Sequence, residues 1–220
     1  MWCVPKLTKE FKSRMEAILK LYKKPYDKNN LVICLDEKPY QLLGDTRKST
    51  LPKPGKIAKQ DYEYKRNGTC CIFLAIEPKA GKRFTFVRKR RTRIDFAMVV
   101  KRILEYYPSA KKFRFVVDNL NTHNEKSLIK AFGEKEAKEM MKRIEFYFTP
   151  KHASWLNMAE TEISVLSRQC LSQRMSSLKL ARIKISSWQR RRNRLKIRIN
   201  WTFSKKDAKN VFPKLYNTGN

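Results

Sequence analysis

Leu31-Val32-Ile33-Cys34-Leu35-Asp36 and Phe113-Arg114-Phe115-Val116-Val117-Asp118 decide how this chain folds. Each is a short apolar run that stops on an aspartate, which reads as a buried strand leading into a turn. Open α/β sheets collect their ligands at the carboxyl ends of parallel strands. If the two runs are neighbours, Asp36 and Asp118 converge at one end of the sheet. A third acid opens a later helix, where Glu160 and Glu162 are both available. Hard oxygen donors gathered in this way select Mg²⁺ or Mn²⁺, and two such ions suit the cutting of a phosphodiester.

Outward from these runs the periodicity sets the fold class. Phe11, Met15, Ile18, Leu19 and Tyr22 mark an amphipathic helix over 8–23, and residues 44–67 have no clear period. Residues 70–76 and 83–88 read as a hairpin whose turn is 77–82. A helix follows over 93–107, then the strand ending at Asp118, a helix over 125–143, a strand over 144–148 and a helix over 158–174. Strand, helix, strand, helix in that order implies parallel pairing through right-handed crossovers. The expectation is an α/β fold with a mixed sheet of about five strands, three antiparallel and then parallel crossovers, flanked by helices. Residues 1–175 form its main domain, and 176–220 a basic extension packing on or beside it, with a helix carrying Trp188 and a β segment over 197–203.

The chain carries 51 Lys and Arg against 20 Asp and Glu, a formal charge of +31 over 220 residues. Such an excess suits electrostatic capture of DNA or RNA, where each neutralised phosphate releases a counterion. Two dense cation clusters are candidates for backbone contact: Arg88, Lys89, Arg90, Arg91 and Arg93, and in the tail Arg190, Arg191 and Arg192. The plainer reading of each is a solvated surface turn or helix face. Five cysteines make an odd set, three of them (Cys34, Cys71, Cys170) inside apolar stretches, which points to reduced thiols and a reducing, cytoplasmic setting. Nothing approaches a membrane span, and Met1-Trp2-Cys3-Val4-Pro5 is not a signal peptide.

Each acid has a plainer reading. Asp118-Asn119-Leu120 could be an Asx turn, and Asn157-Met158-Ala159-Glu160 fits an N-cap with Glu160 returning the bond. Periodicity slightly favours Glu162 over Glu160, since Glu162 shares a side with Met158, Ile163 and Leu166. His123 and His152 stand beside the later motifs as phosphate contacts, carboxylate-orienting groups or structural histidines, outside the ligand set.

The wording of four motifs resembles a known family: Leu35-Asp36-Glu37-Lys38-Pro39-Tyr40-Gln41-Leu42, Asp61-Tyr62-Glu63-Tyr64-Lys65-Arg66-Asn67-Gly68-Thr69, Val117-Asp118-Asn119-Leu120-Asn121-Thr122-His123, and Thr149-Pro150-Lys151-His152-Ala153-Ser154-Trp155-Leu156-Asn157-Met158-Ala159-Glu160. They are similar to the catalytic domain of bacterial insertion-sequence transposases of the mariner superfamily, in the insertion-sequence 630 branch. The resemblance continues through Leu166–Leu171 and Trp188–Asn193 to Asn200-Trp201. It implies a ribonuclease-H-like fold and a triad of Asp36, Asp118 and Glu160 holding Mg²⁺ or Mn²⁺, two ions, for cleavage at transposon ends and strand transfer into target DNA. The implied partners are double-stranded DNA and a second copy of the chain, in the bacterial cytoplasm beside the nucleoid. Full-length relatives carry helix-turn-helix modules ahead of this domain. The implied completion is a helix-turn-helix partner from an upstream frame, and the alternative is a truncated, catalytically silent DNA-binding remnant.

Overall fold

The computed structural model describes residues 6–47, 50–59 and 61–216, so Cys3 and the N-terminal pentapeptide lie outside it. Five strands form one mixed sheet in the order β3-β2-β1-β4-β5. They are β1 (Asn30–Asp45), β2 (Tyr64–Glu77), β3 (Lys82–Arg88), β4 (Lys112–Val117) and β5 (Ile144–Phe148). β1, β2 and β3 pair antiparallel, whereas β1 with β4 and β4 with β5 are parallel. Helix α1 (Lys9–Lys23) precedes the sheet, α2 (Arg93–Tyr106) and α3 (Glu125–Met141) make the crossovers, and α4 (Met158–Leu166) follows β5. The tail adds α5 (Leu178–Arg194), α6 (Lys205–Val211) and α7 (Pro213–Tyr216). This is the α/β architecture with a mixed five-stranded sheet expected from the sequence.

Alternation along the strands sends successive side chains to opposite faces. Leu31, Ile33, Leu35, Phe113, Phe115 and Val117 pack with α2 and α3. Cys34, Ile72, Leu74 and Val116 pack with α1, α4, α5 and the tail. A sheet covered on both sides explains why Cys70–Glu77 is an unbroken buried run rather than an alternating one. Each buried Phe, Ile or Leu side chain contributes on the order of 1.5–3 kcal/mol.

Several expectations need correction. β1 does not stop at Asp36: its ladder with β2 runs on to Asp45↔Tyr64, while its pairing with β4 ends at Cys34↔Val116. Past that point β1 has one open edge, where Pro39 is tolerated. The stretch 125–143 is interrupted at Gly133, whose φ of 80° leaves the helical region. The helix expected over 158–174 ends at Leu166 and passes into a π turn, Ser167–Leu171. Residues 197–203 join no strand. Ile199 N–H donates to Pro78 O (3.2 Å), and Ile199, Trp201 and Phe203 meet the apolar cluster under α1 by packing instead. Their alternating pattern is satisfied by side-chain burial without a ladder.

The tail grips the sheet at the β2–β3 turn, where Gly81 takes a φ of 67° and its N–H donates to Glu77 O (2.9 Å). A Cβ there would stand 2.6 Å from Lys196 O, whereas at Gly133 it would meet nothing within 4 Å. Gly81→Ala is expected to lower the unfolding free energy by about 2–4 kcal/mol and Gly133→Ala by about 1 kcal/mol, the first adding a backbone clash to the strain both share. Urea unfolding of the two variants measures the gap, and equal losses would contradict the close approach.

Candidate active site

Asp36 sits on β1 just past the last residue paired with β4, on the face shared with Cys34. It is only 9% exposed, and its Oδ1 accepts the Glu37 N–H (2.8 Å). Burial, with the charges of Asp118, Glu37 and Glu160 adding to it, pushes its carboxyl up to about 7. The three acids therefore share one electrostatic neighbourhood. Asp118 follows β4 directly, and its Oδ1 accepts the Leu120 N–H (3.1 Å), so the Asx turn is present as well. Next to it, Asn119 Nδ2 donates to Thr149 O (2.6 Å), tying the rim of β4 to the end of β5.

His123 is fully buried between two carboxylates. Its Nε2 lies 2.9 Å from Glu37 Oε1, and its Nδ1 lies 2.6 Å from Asp118 Oδ1, out of line for a straight hydrogen bond. Burial alone would lower its pKa, but the two acids outweigh it and raise it to about 9. The exchange is mutual. Burial pulls Asp118 upward, and the contact with His123, helped by Leu120 N–H and Arg91, brings it below the usual carboxylate range. The sequence leaves His123 open as a phosphate contact, a carboxylate-orienting group or a structural histidine; it lies against the carboxylates of Glu37 on β1 and Asp118 after β4.

Asn157 caps α4 by accepting from Ala159 N–H (3.1 Å), while its amide donates to Leu35 O (2.9 Å). That bond fastens the helix start to the residue before Asp36. Glu160, half-buried at the third helical position, lines the same groove of about 460 Å³ as Asp36. Glu162 points the other way and is 1% exposed. Its carboxylate meets Arg83 (2.8 and 3.0 Å) and Arg192 (3.0 and 3.2 Å), both buried. Periodicity was right that Glu162 faces inward, and two guanidinium groups consume what it offers.

Residues 31–180 match the DDE superfamily endonuclease model. The chain belongs to that family. Its fold is similar to three solved Mos1 structures. They are the mariner paired end complex with Mn (14% identity, 89% of this chain and 60% of that one, TM-score 0.58), the transposase paired-end complex with left transposon end (14%, 90% and 61%, 0.58), and the Strand Transfer Complex (13%, 89% and 57%, 0.59). The chain thus spans about 60% of the length of these structures. The likeness establishes a ribonuclease-H-like fold for this DDE-family chain. No curated protein sequence matches it.

Divalent cations fit these oxygen donors in kind. Asp36 is a buried carboxylate with a single N–H bonded to it and like charges around it, the setting that a cation relieves. Among the described residues, no three acids, histidines or cysteines stand close enough to share one ion as they are. The cation clusters divide. Lys89, Arg90 and Arg91 are exposed ahead of α2, with Arg88 and Arg93 half-buried beside them. Arg190 and Arg191 are exposed on α5. Arg192 drops out of the DNA-binding set, because its guanidinium lies in the interior against Glu162. Trp188 and Trp155 pack, the latter stacked on Trp201.

The two glutamates of α4 should separate cleanly on substitution. Glu162→Gln leaves two buried guanidinium groups without a counter-charge and is expected to lower stability by about 3–5 kcal/mol. Glu160→Gln should change it by no more than about 0.5 kcal/mol. Thermal and chemical unfolding check the pair, and comparable losses would show that α4 is oriented otherwise.

Proposed function

We propose that this chain is the catalytic part of a mariner-type transposase, cutting DNA at transposon ends and joining the freed 3′ end to a target. The observation that supports the reading is that Asp36, buried at the rim of a ribonuclease-H-like sheet with Glu160 in the same groove, is raised first by its burial and then by the charges of Asp118, Glu37 and Glu160. In this reading the three acids hold Mg²⁺ or Mn²⁺, two ions. Bound there, the ions would supply charge neutralisation at the attacking and leaving oxygens of the phosphodiester.

The chain's own residues prepare that chemistry. His123 favours the ionised form of Asp118, and the Leu120 N–H holds its Oδ1, so the other oxygen is left to a cation. Glu37 holds the far nitrogen of the same ring, which locks β1 and the β4 rim at one separation. Asn157 sets the height of α4 against Leu35, and with it the reach of Glu160. No protein nucleophile is required, since positioning and charge do the work. Lys89, Arg90, Arg91, Arg190 and Arg191 would follow the phosphate backbone. Paired assembly on DNA, as in the Mos1 paired-end complexes, is part of the proposal, with end recognition left to helix-turn-helix modules.

The test is nicking of supercoiled plasmid and of duplex DNA carrying the element's ends, with Mg²⁺ or Mn²⁺. Asp118→Asn is expected to slow nicking on the order of a hundredfold or more, several kcal/mol of lost charge stabilisation. Equal nicking by both proteins would end the reading. A silent DNA-binding remnant is the second reading, for which the formal charge of +31 alone would suffice. It gives salt-steep binding and no metal-dependent nicking.

Asp36 adds a pH signature. Its folded pKa, about 7, stands above the unfolded value near 4, so its ionisation costs stability that is regained as pH falls through that window. In EDTA, Asp36→Asn should be more stable than the native chain by roughly 2–4 kcal/mol at pH 8, with the gap closing by about pH 4. Denaturant unfolding across that range measures it, and a gap independent of pH would remove Asp36 from the buried acid site.

A further inference from the structure

The groove holding Asp36 and Glu160 continues past its acids. Lys38 lines one wall, and Ser164, Ser167 and Arg168 line the other. Lys38 is two residues beyond Asp36 in extended β1, so both side chains project from the same face of the sheet. Glu160, Ser164 and Arg168 are four residues apart and stack along one side of α4, with Arg168 carried by the π turn after the helix. Arg168 Nη1 donates to Ser164 Oγ (2.6 Å), which holds the guanidinium against the groove wall.

Many arginines of this chain are consumed by the fold. Arg83 and Arg192 neutralise Glu162, Arg174 meets Asp45, and Arg143 donates to the carbonyls of Tyr107, Pro108 and Ala110. In the groove across the site, Arg14 is engaged by Glu10 and Asn119. Lys38 and Arg168 differ. Each lies in a groove lined by three acids, Asp36, Glu37 and Glu160, and neither forms an ion pair among the described residues. Cations that flank carboxylates without pairing to them are left for an anion lying along the groove. Guanidinium, ammonium and hydroxyl donors in one wall-to-wall arrangement are the usual complement of a nucleic-acid backbone phosphate.

We infer that Lys38 and Arg168, assisted by Ser164, hold the backbone phosphate next to the one positioned at Asp36, Asp118 and Glu160. The inference rests on the proposed strand cleavage and names what keeps the strand in register there. These are positioning residues that act on the DNA rather than on the reacting atoms.

The experiment compares the native chain, K38Q/R168Q, and the control K111Q/K130Q. The control removes the same charge at exposed sites, Lys111 before β4 and Lys130 on α3. Fluorescence anisotropy with a labelled duplex across a salt series gives the slope of log K against log salt. K38Q/R168Q should flatten it by about 1.8, the release expected for two phosphate contacts, and the control by clearly less. In plasmid nicking, K38Q/R168Q should raise KM about tenfold with kcat within about twofold. Mn²⁺ binding followed by electron paramagnetic resonance should be unchanged. A slope equal to the control's, or loss of Mn²⁺ binding in the double variant, overturns the inference. If the native chain nicks with metal and the slope does not move, this inference alone fails. If the native chain and Asp118→Asn nick equally while the slope flattens, the strand-cleavage reading fails and the phosphate contact stands.

Discussion

The parallel ladder between β1 and β4 is the constraint on which the rest depends. It runs from Asn30↔Lys112 to Cys34↔Val116, and the next few residues on each side carry Asp36, Glu37 and Asp118. Two acids more than eighty positions apart in the chain are thereby brought to one rim. The register matters as much as the pairing. A slip of one residue would turn Asp36 onto the α2–α3 face and replace it with Leu35 or Glu37. His123 acts as a second fastening of the same junction, since it touches Glu37 on β1 and Asp118 beyond β4. β5 joins through Thr149, whose N–H donates to Val117 O (2.9 Å) and whose carbonyl accepts from Asn119.

Helix α4 then divides its two glutamates between opposite tasks. Glu162 anchors the helix from behind, against Arg83 of β3 and Arg192 of α5, and so links the sheet edge, the helix and the tail. Glu160 is left toward the groove. A buried carboxylate with two guanidinium partners is not an efficient source of stability, because desolvating the charges offsets most of their attraction. Its effect is orientational: rotating α4 to expose Glu162 would strand both arginines. The hydrogen bond from Asn157 to Leu35 O fixes the same helix along its axis, so rotation and height are set by separate contacts.

Much of this was legible in the residues. The boundaries of α1, α2 and β5 were readable because Phe11–Tyr22 and Phe96–Tyr107 keep one apolar face and Ile144–Phe148 is closed by Thr149-Pro150. The extension of β1 beyond Asp36 was not. Glu37-Lys38-Pro39-Tyr40-Gln41 has no strand-like apolarity, and only the neighbouring β2, a non-local partner, holds it extended. The segment 197–203 misled for the opposite reason: Ile197, Ile199, Trp201 and Phe203 alternate as a strand would, yet the last three settle onto the α1 side without a ladder. Within the site, the aspartates were visible as endpoints of apolar runs. Spacing alone pointed to Glu162, because burial of that side was real and its cause, the two distant arginines, could not be seen along the chain. His123 and Arg192 were ambiguous for the same reason, each being defined by partners from other elements.

The chain's charge takes on meaning once its cations are sorted by where they end up. With a formal charge of +31, attraction to a polyanion needs no special arrangement, and any basic surface would supply it. Discrimination along the strand requires something more, a place where acids are kept together at a cost. The rim provides that place, since Asp36 is held beside Asp118 and Glu160 although burial and repulsion both raise its pKa. In the proposed function the surrounding lysines and arginines would concentrate DNA on the protein. The local acidity would repel a bare phosphate and admit one only with a divalent cation between them. On that proposal, basic surface and acidic rim would be complementary parts of one device, long-range attraction delivering the strand and short-range repulsion making its docking conditional on metal.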